Sequence, residues 1–336
     1  MEKIITSITF LIFVVVSSSS ALAVPAALPQ SIAPGLGALN WEVTNTGGTS
    51  SGNAFSGVCD QTSGLTIQDA TSADGSTDAY DNAHSIWVDG AIFDAPGSVD
   101  LTGNTILAGP VVMSGLNVSV EYAFSDVVQA GRVRVIFQNP TPVTINASVD
   151  MAVNSGASTF TIEATSSLDA VFGTDDYWVV TSDGGPNDPV NTSVLWGQLA
   201  DVPPSSVATT VFGCGGDKGI AATFDISVPT NARRQLLFFT GVGDIVGLGN
   251  TVAGATVNAA MFNSYLDIDP SLMAGIPDAE LLEVVNWFLR PVNAGGGGGC
   301  SLDHKTTSAW KAGDLWLLLA LISSLGLWRV RRKIDQ

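Results

Sequence analysis

Between residues 86 and 241 the chain repeats one pattern: short runs of alternating apolar and polar residues, each closed by Gly, Pro, Asn or Asp. Leu116, Val118, Val120, Tyr122 and Phe124 alternate with polar or small neighbours. Arg132, Val133, Arg134 and Val135 continue the pattern, which stops at Asn139-Pro140 and resumes over 143–149. Successive side chains of a strand point to opposite faces, so each run sets one face on a core and the other in solvent. Residues 159–164, 177–181, 193–196, 207–212, 221–228 and 235–241 read the same way, as do 41–44 and 65–67. Asp89-Gly90, between Ile86-Trp87-Val88 and Ala91-Ile92-Phe93, is a hairpin signal. Many short strands divided by turn residues predict a mainly β chain, an antiparallel β-sandwich.

The period changes after residue 250. Residues 257–266 are compatible with a helix, and Pro277-Asp278-Ala279-Glu280 opens a second. Leu281, Val285 and Phe288 then share one helical face, and Arg290-Pro291 ends it. One or two C-terminal helices are expected to pack on the sandwich.

The two ends carry signals of another kind. Lys3, the apolar run 4–16 and Ala21-Leu22-Ala23 form the three parts of a secretory signal peptide, cut between Ala23 and Val24. Sec translocon and signal peptidase are the partners this implies. Near the other end, 315–328 is an apolar run of 14 residues, about 21 Å as a straight helix against roughly 30 Å of hydrocarbon. It makes a short transmembrane helix, with Arg329, Arg331, Arg332 and Lys333 as a cytoplasmic stop-transfer end. The expected organisation is a signal peptide (1–23), a leader (24–40), a β-sandwich body (41–250) and a helical segment packed on it (251–291). A Gly-rich linker with a cysteine (292–300), a spacer (301–314), a transmembrane helix (315–330) and a basic end (331–336) follow.

The order Gly298-Gly299-Cys300, polar spacer, short apolar helix and Arg-rich end resembles C-terminal sorting signals of Gram-negative bacteria, of the JDVT-CTERM, MYXO-CTERM or GlyGly-CTERM type. The resemblance covers residues 295–333. It implies an intramembrane processing protease as partner, cleavage near Cys300 and attachment there to a membrane or lipid anchor. The protein would cross the inner membrane transiently and finish at the cell surface or outer membrane, or be secreted. The body, over 78–288, resembles a β-sandwich module of secreted bacterial proteins whose function is unassigned. Asp78-Ala79-Tyr80-Asp81, Asn139-Pro140-Thr141, Asp176-Tyr177-Trp178 and Val285-Asn286-Trp287 are among the residues that carry this likeness. It implies a noncatalytic surface domain and assigns no active site.

From Val24 to Gly299 there are 27 acidic and 6 basic residues, a body near −21 within a chain of −18. That argues against nucleic acid or anionic lipid as a partner. With Cys300 assigned to the tail, Cys59 and Cys214 are a natural disulfide pair in an oxidising compartment; two free buried thiols are the other possibility. Only His84 and His304 exist, so a histidine-based triad or zinc site would rest on His84 alone. Asp175, Asp176, Asp183 and Asp188 gather in one loop region, where hard oxygen ligands could hold Ca²⁺, although no EF-hand pattern is present. Asp69, Asp74, Asp78 and Asp81 crowd another. Trp87, Trp178, Trp196 and Tyr177 lie on expected strands, where they are core rather than sugar-stacking surface. No catalytic residue stands out and no cofactor is certain. The expectation is an exported, noncatalytic surface protein, not an enzyme, with structural or adhesive work. The alternative is a surface protein that binds or cleaves carbohydrate using Asp and Trp.

Overall fold

The computed structural model describes residues 22–45, 64–155, 161–182, 184–185, 187–211 and 219–289. All of these lie in the compact unit Met1–Pro291; a second unit, Val292–Gln336, lies outside the described residues. The N-terminal strands are β1 (Val24–Ala26), β2 (Gln30–Ile32), β3 (Asn40–Asn45), β4 (Leu65–Thr71), β5 (Ser85–Val88) and β6 (Ala91–Ile92). Then come β7 (Val99–Thr102), β8 (Thr105–Met113), β9 (Leu116–Phe124), β10 (Ala130–Gln138), β11 (Ile145–Asn154) and β12 (Thr161–Thr165). The last are β13 (Trp178–Ser182), β14 (Asn191–Val194), β15 (Ser206–Val211), β16 (Gly219–Val228) and β17 (Arg233–Val242).

The strands build three antiparallel sheets. The largest has nine strands in the order β1-β7-β8-β9-β10-β17-β14-β13-β12. A five-stranded sheet runs β15-β16-β11-β5-β6 and a three-stranded one β2-β3-β4. The apolar sets of β9, β10 and β17 face those of β11, β16, β3 and β4 in one continuous core. Phe224 of β16 meets Phe238 of β17 edge-on at 5.5 Å, and Trp41 of β3 stacks on Phe124 of β9 at 4.8 Å. Each such buried ring contributes about 1.5–3 kcal/mol over leaving it in water. The fold is therefore mainly β, antiparallel and sandwich-like, as the alternation predicts.

The large sheet is also covered on its other face. Trp178, Val180, Val194, Leu237 and Phe239 pack there against residues 252–289. That cover begins with α1 (Val252–Ala259), capped by Thr251, whose hydroxyl accepts the Gly254 N–H at 3.0 Å. Two 3-10 turns, Ala260–Asn263 and Tyr265–Asp267, follow, then the single turns α2 (Pro270–Met273) and α3 (Asp278–Leu281). Burial on both faces explains the unbroken apolar run Leu236-Leu237-Phe238-Phe239 in β17.

Two local expectations are corrected. The polar positions of β10 do not face solvent. Arg132 and Arg134 are buried, and both bind Glu121 of β9, at 2.7 and 2.6 Å. Arg134 also reaches Glu280 of α3 at 2.6 Å, while Arg132 donates to the carbonyls of Leu272 and Ala274. Buried guanidinia clamp the C-terminal segment to the sheet. The second helix also stops after one turn instead of running to Phe288. β14 pairs with β17 only over Phe239–Val242, which leaves the Gln235–Leu237 edge in need of partners. Residues 283–286 supply them: Gln235 N–H donates to the Glu283 carbonyl, Val285 N–H to the Gln235 carbonyl, and Leu237 N–H to Asn286 Oδ1. A continued helix would leave those backbone groups buried and unpaired.

Val24, at the expected cleavage point, opens β1 opposite Leu101. Residues 24–40, expected as a leader, carry β1 and β2. Among the described residues no helix is long and apolar enough to cross a membrane. Cys59, Cys214, Gly298, Gly299, Cys300, Arg329, Arg331, Arg332 and Lys333, with the signal-peptide run, the spacer and the apolar run 315–330, lie outside the described residues.

Candidate functional site

Residues 283–286 form a strap along β17, and its continuation into Trp287 and Phe288 shapes a cleft. Asn286 is fully buried; its Nδ2 donates to the Leu195 and Leu237 carbonyls at 3.0 and 2.7 Å. Next to it the Trp287 indole N–H donates to the Leu237 carbonyl at 2.8 Å. These bonds fix the Trp287 ring, which packs edge-to-face on Phe239 at 5.4 Å. Gly197 lies directly against that ring: a Cβ there would stand 2.1 Å from Trp287 Cε3. No side chain is tolerated at that distance, so the glycine is what lets the 197–200 turn close over the tryptophan.

Above Trp287 opens a cleft of about 240 Å³ lined by Gln198, Leu199, Asn263, Ser264, Tyr265, Leu266, Trp287 and Phe288. Three separate stretches converge there: the turn after β14, the two 3-10 turns, and the end of the strap. Trp287 is buried as the floor, Tyr265 is half-buried, and Phe288 is 40% exposed on the rim. Leu199 and Leu266 add apolar walls that are 70% and 76% exposed. None of the described lining side chains carries a formal charge. The polar groups are two amides, Gln198 and Asn263, and two hydroxyls, Ser264 and Tyr265. Such a site offers flat apolar faces and a few orienting hydrogen bonds, the pattern of a small-molecule pocket. Among the described residues it contains no acid–base pair.

A second concavity, of about 310 Å³, lies on the outer side of the five-stranded sheet and is lined by Asp89, Asn146, Ala147, Ser148, Asp225, Ile226 and Ser227. Burial raises the Asp150 carboxyl beside it; the Thr223 hydroxyl opposes this, and Asp225 and Asp89 add to the rise. Asp89 is already engaged, accepting the Ser148 N–H at 2.8 Å.

The residues singled out from sequence sit elsewhere. Asp176 is buried, and its oxygens accept the N–H groups of Ser167 and Gly173 at 3.0 and 2.9 Å. That carboxylate staples its own loop. Asp175 is exposed, Asp188 flanks Asn250, which donates to its carbonyl, and Asp183 lies outside the described residues. Among the described residues no three metal-ligating side chains converge. The other aspartate group is also structural: Asp69 accepts the N–H groups of Ala70 and Ala79, and Asp74 that of Ser76. Trp87 and Trp178 are core, as expected. Trp196 is half-buried, edge-on to Tyr177 at 4.7 Å, with its indole N–H on the Asp176 carbonyl. His84 is wholly buried at φ 55° immediately before β5, away from any concavity described above.

The cleft residues themselves were missed. Gln198, Leu199, Asn263 and Ser264 have no local signature, and Phe288 was expected on a buried helical face. The adjacent Asn286-Trp287-Phe288, a polar residue inside an apolar run, is the one sign that this stretch does something other than continue a helix.

No protein-family model matches the chain, and no curated protein matches it in sequence. Solved structures do resemble it in shape. A candidate kojibiose phosphorylase from human microbiome aligns at TM-score 0.44 and 9% identity over 75% of this chain, which spans 37% of that protein's length. A galactose mutarotase-like protein from Lactobacillus casei aligns at TM-score 0.41 and 10% identity, over 64% of this chain and 99% of that one. A candidate aldose 1-epimerase from Klebsiella pneumoniae aligns at 0.37 and 9%, over 68% and 82%. Each of these is described as a sugar-acting enzyme or as similar to one. This corrects the expectation of a noncatalytic structural or adhesive protein, and with it the expectation that the chain is not an enzyme. At such scores and identities no residue role or reaction passes from those proteins to this chain.

Proposed function

We propose that the protein is exported, held at the cell surface, and works on carbohydrate, with a sugar ring seated in the Trp287 cleft. The observation that carries this is the lining: aromatic side chains over an uncharged cleft with two amides and two hydroxyls. The C–H face of a pyranose is weakly electropositive and suits the negative face of an aromatic ring. Its hydroxyls need partners that both donate and accept, which amides and hydroxyls are. The Asp and Trp residues first considered for this role are replaced by Tyr265, Phe288, Asn263 and Gln198. The signal-peptide pattern and the Gly298-Gly299-Cys300 tail support export and surface attachment. β1 beginning at Val24, the first residue of the expected mature chain, is consistent with them.

The test is saturation-transfer NMR on the protein isolated from the cell envelope, with a panel of mono- and disaccharides. Transfer to the ring C–H protons is expected, falling sharply in Tyr265→Ala and Phe288→Ala with the melting temperature retained. Following the anomeric signals in the same spectra reads turnover. Absence of transfer from every sugar, or transfer undiminished in both variants, overturns the proposal.

A further inference from the structure

Asn263 occupies a particular position in the cleft. Behind it lies Trp178, buried on the covered face of the nine-stranded sheet, whose indole N–H donates to Asn263 Oδ1 at 2.7 Å. An indole nitrogen can only donate, so the amide oxygen must face it. The amide cannot flip without leaving the buried Trp178 N–H against a second donor. Its Nδ2 is therefore held as a hydrogen-bond donor on an exposed residue of the cleft lining. Gln198, by contrast, is exposed on a turn and can present either end of its amide.

Resting on the carbohydrate reading, we infer that the cleft selects a single neutral sugar ring and that Asn263, oriented by Trp178, is its specificity-determining residue. The fixed Nδ2 donor calls for an acceptor, which a sugar hydroxyl or ring oxygen supplies. Two observations on charge point to the neutral class. Among the described residues no cation lines the cleft, so a carboxylate brought against Trp287, Leu199 and Phe288 would lose hydration with no counter-charge from them. The body near −21 also repels an anion before it arrives. The single ring follows from size. At about 240 Å³ the cleft falls below the roughly 300–1,000 Å³ of sites for larger ligands.

The experiment compares a methyl pyranoside with the matching uronate at equal ionic strength, by titration calorimetry on the envelope-isolated protein and on Asn263→Asp. That substitution keeps an oxygen for Trp178 and replaces the donor with an anionic acceptor of the same shape. The expected results are binding of the neutral sugar at least tenfold tighter than the uronate, and at least a tenfold loss of the neutral sugar in Asn263→Asp. Equal affinity for the two sugars, or undiminished neutral binding in Asn263→Asp while Tyr265→Ala abolishes it, overturns the inference and leaves the carbohydrate reading standing. No binding of either sugar by the unaltered protein removes both. Should Asn263→Asp not fold, the neutral-to-uronate ratio on the unaltered protein decides alone.

Discussion

His84 makes the stability of this fold sensitive to mild acid. Its side chain is fully buried, and neither ring nitrogen has a hydrogen-bond partner among the described residues. Burial drives its pKa down to about 3, from about 6.5 in an unfolded chain. The folded protein therefore holds a neutral ring at pH 5 while the unfolded chain takes up a proton. Because the folded value is the lower one, the contribution is fully present above about pH 6.5 and is lost progressively as pH falls toward 3. Between pH 8 and pH 5 the loss is about 2 kcal/mol, and by pH 4 about 3 kcal/mol. The carboxylates titrate in the same range, so the effect must be read as a difference. His84→Asn does not titrate, and asparagine tolerates the positive φ of this position. Urea unfolding free energies of both proteins at pH 8, 7, 6 and 5 give the comparison. The advantage of the unaltered protein over the variant should shrink by about 2 kcal/mol across that series. Parallel curves, with the difference flat to within about 0.5 kcal/mol, would show that His84 is not buried neutral and would refute the reasoning.

Three further predictions rest on separate features. Glu121→Gln removes the carboxylate shared by Arg132 and Arg134 and should cost about 3–5 kcal/mol, because it strands buried guanidinium charge; calorimetric unfolding measures it, and a loss below about 1 kcal/mol would mean the network is solvated. Gly197→Ala drives a Cβ into the Trp287 ring, so it should shift tryptophan emission and abolish sugar binding, whereas unchanged spectra would show the turn is free to move. Intact-mass measurement of the surface-held protein should give a chain beginning at Val24 and ending near Cys300; retention of residues 301–336 would rule out the processing expected from the tail.

Most strands were legible because alternation is a local signal, and the exceptions show what defeats it. No strand was expected between Phe93 and Leu116, yet β7 and β8 lie there. In β8 the pairing with β9 shifts between Ala108 and Val111, where Gly109 takes φ 104° before Pro110. Pro cannot donate to the ladder and Gly breaks the pattern, so the strand reads as a turn although it continues past the bulge. The expected polar face of β10 failed for another reason. Arg132 and Arg134 look like solvated positions until Glu121 is known to lie beside them in β9 and α3 to lie above, an arrangement that only the sheet order reveals.

The cleft was illegible for the same non-local reason, and Trp178 shows why. Its apolar strand context assigns it to the core, and the structure puts it there. Yet its one polar atom reaches out of the core to Asn263, 85 positions further along the chain. A core tryptophan with its N–H satisfied by backbone would be a packing residue only. Satisfied by a side chain at the edge of a cleft, it sets the direction of that amide, and so the kind of group the cleft can bind. Residue type and periodicity determine how much of Trp178 is buried, but which acceptor its indole finds depends on where α1 and the turns after it settle on the sheet. A specificity residue of this sort has no local sequence signature; it becomes visible only once the buried donor has been matched to its acceptor.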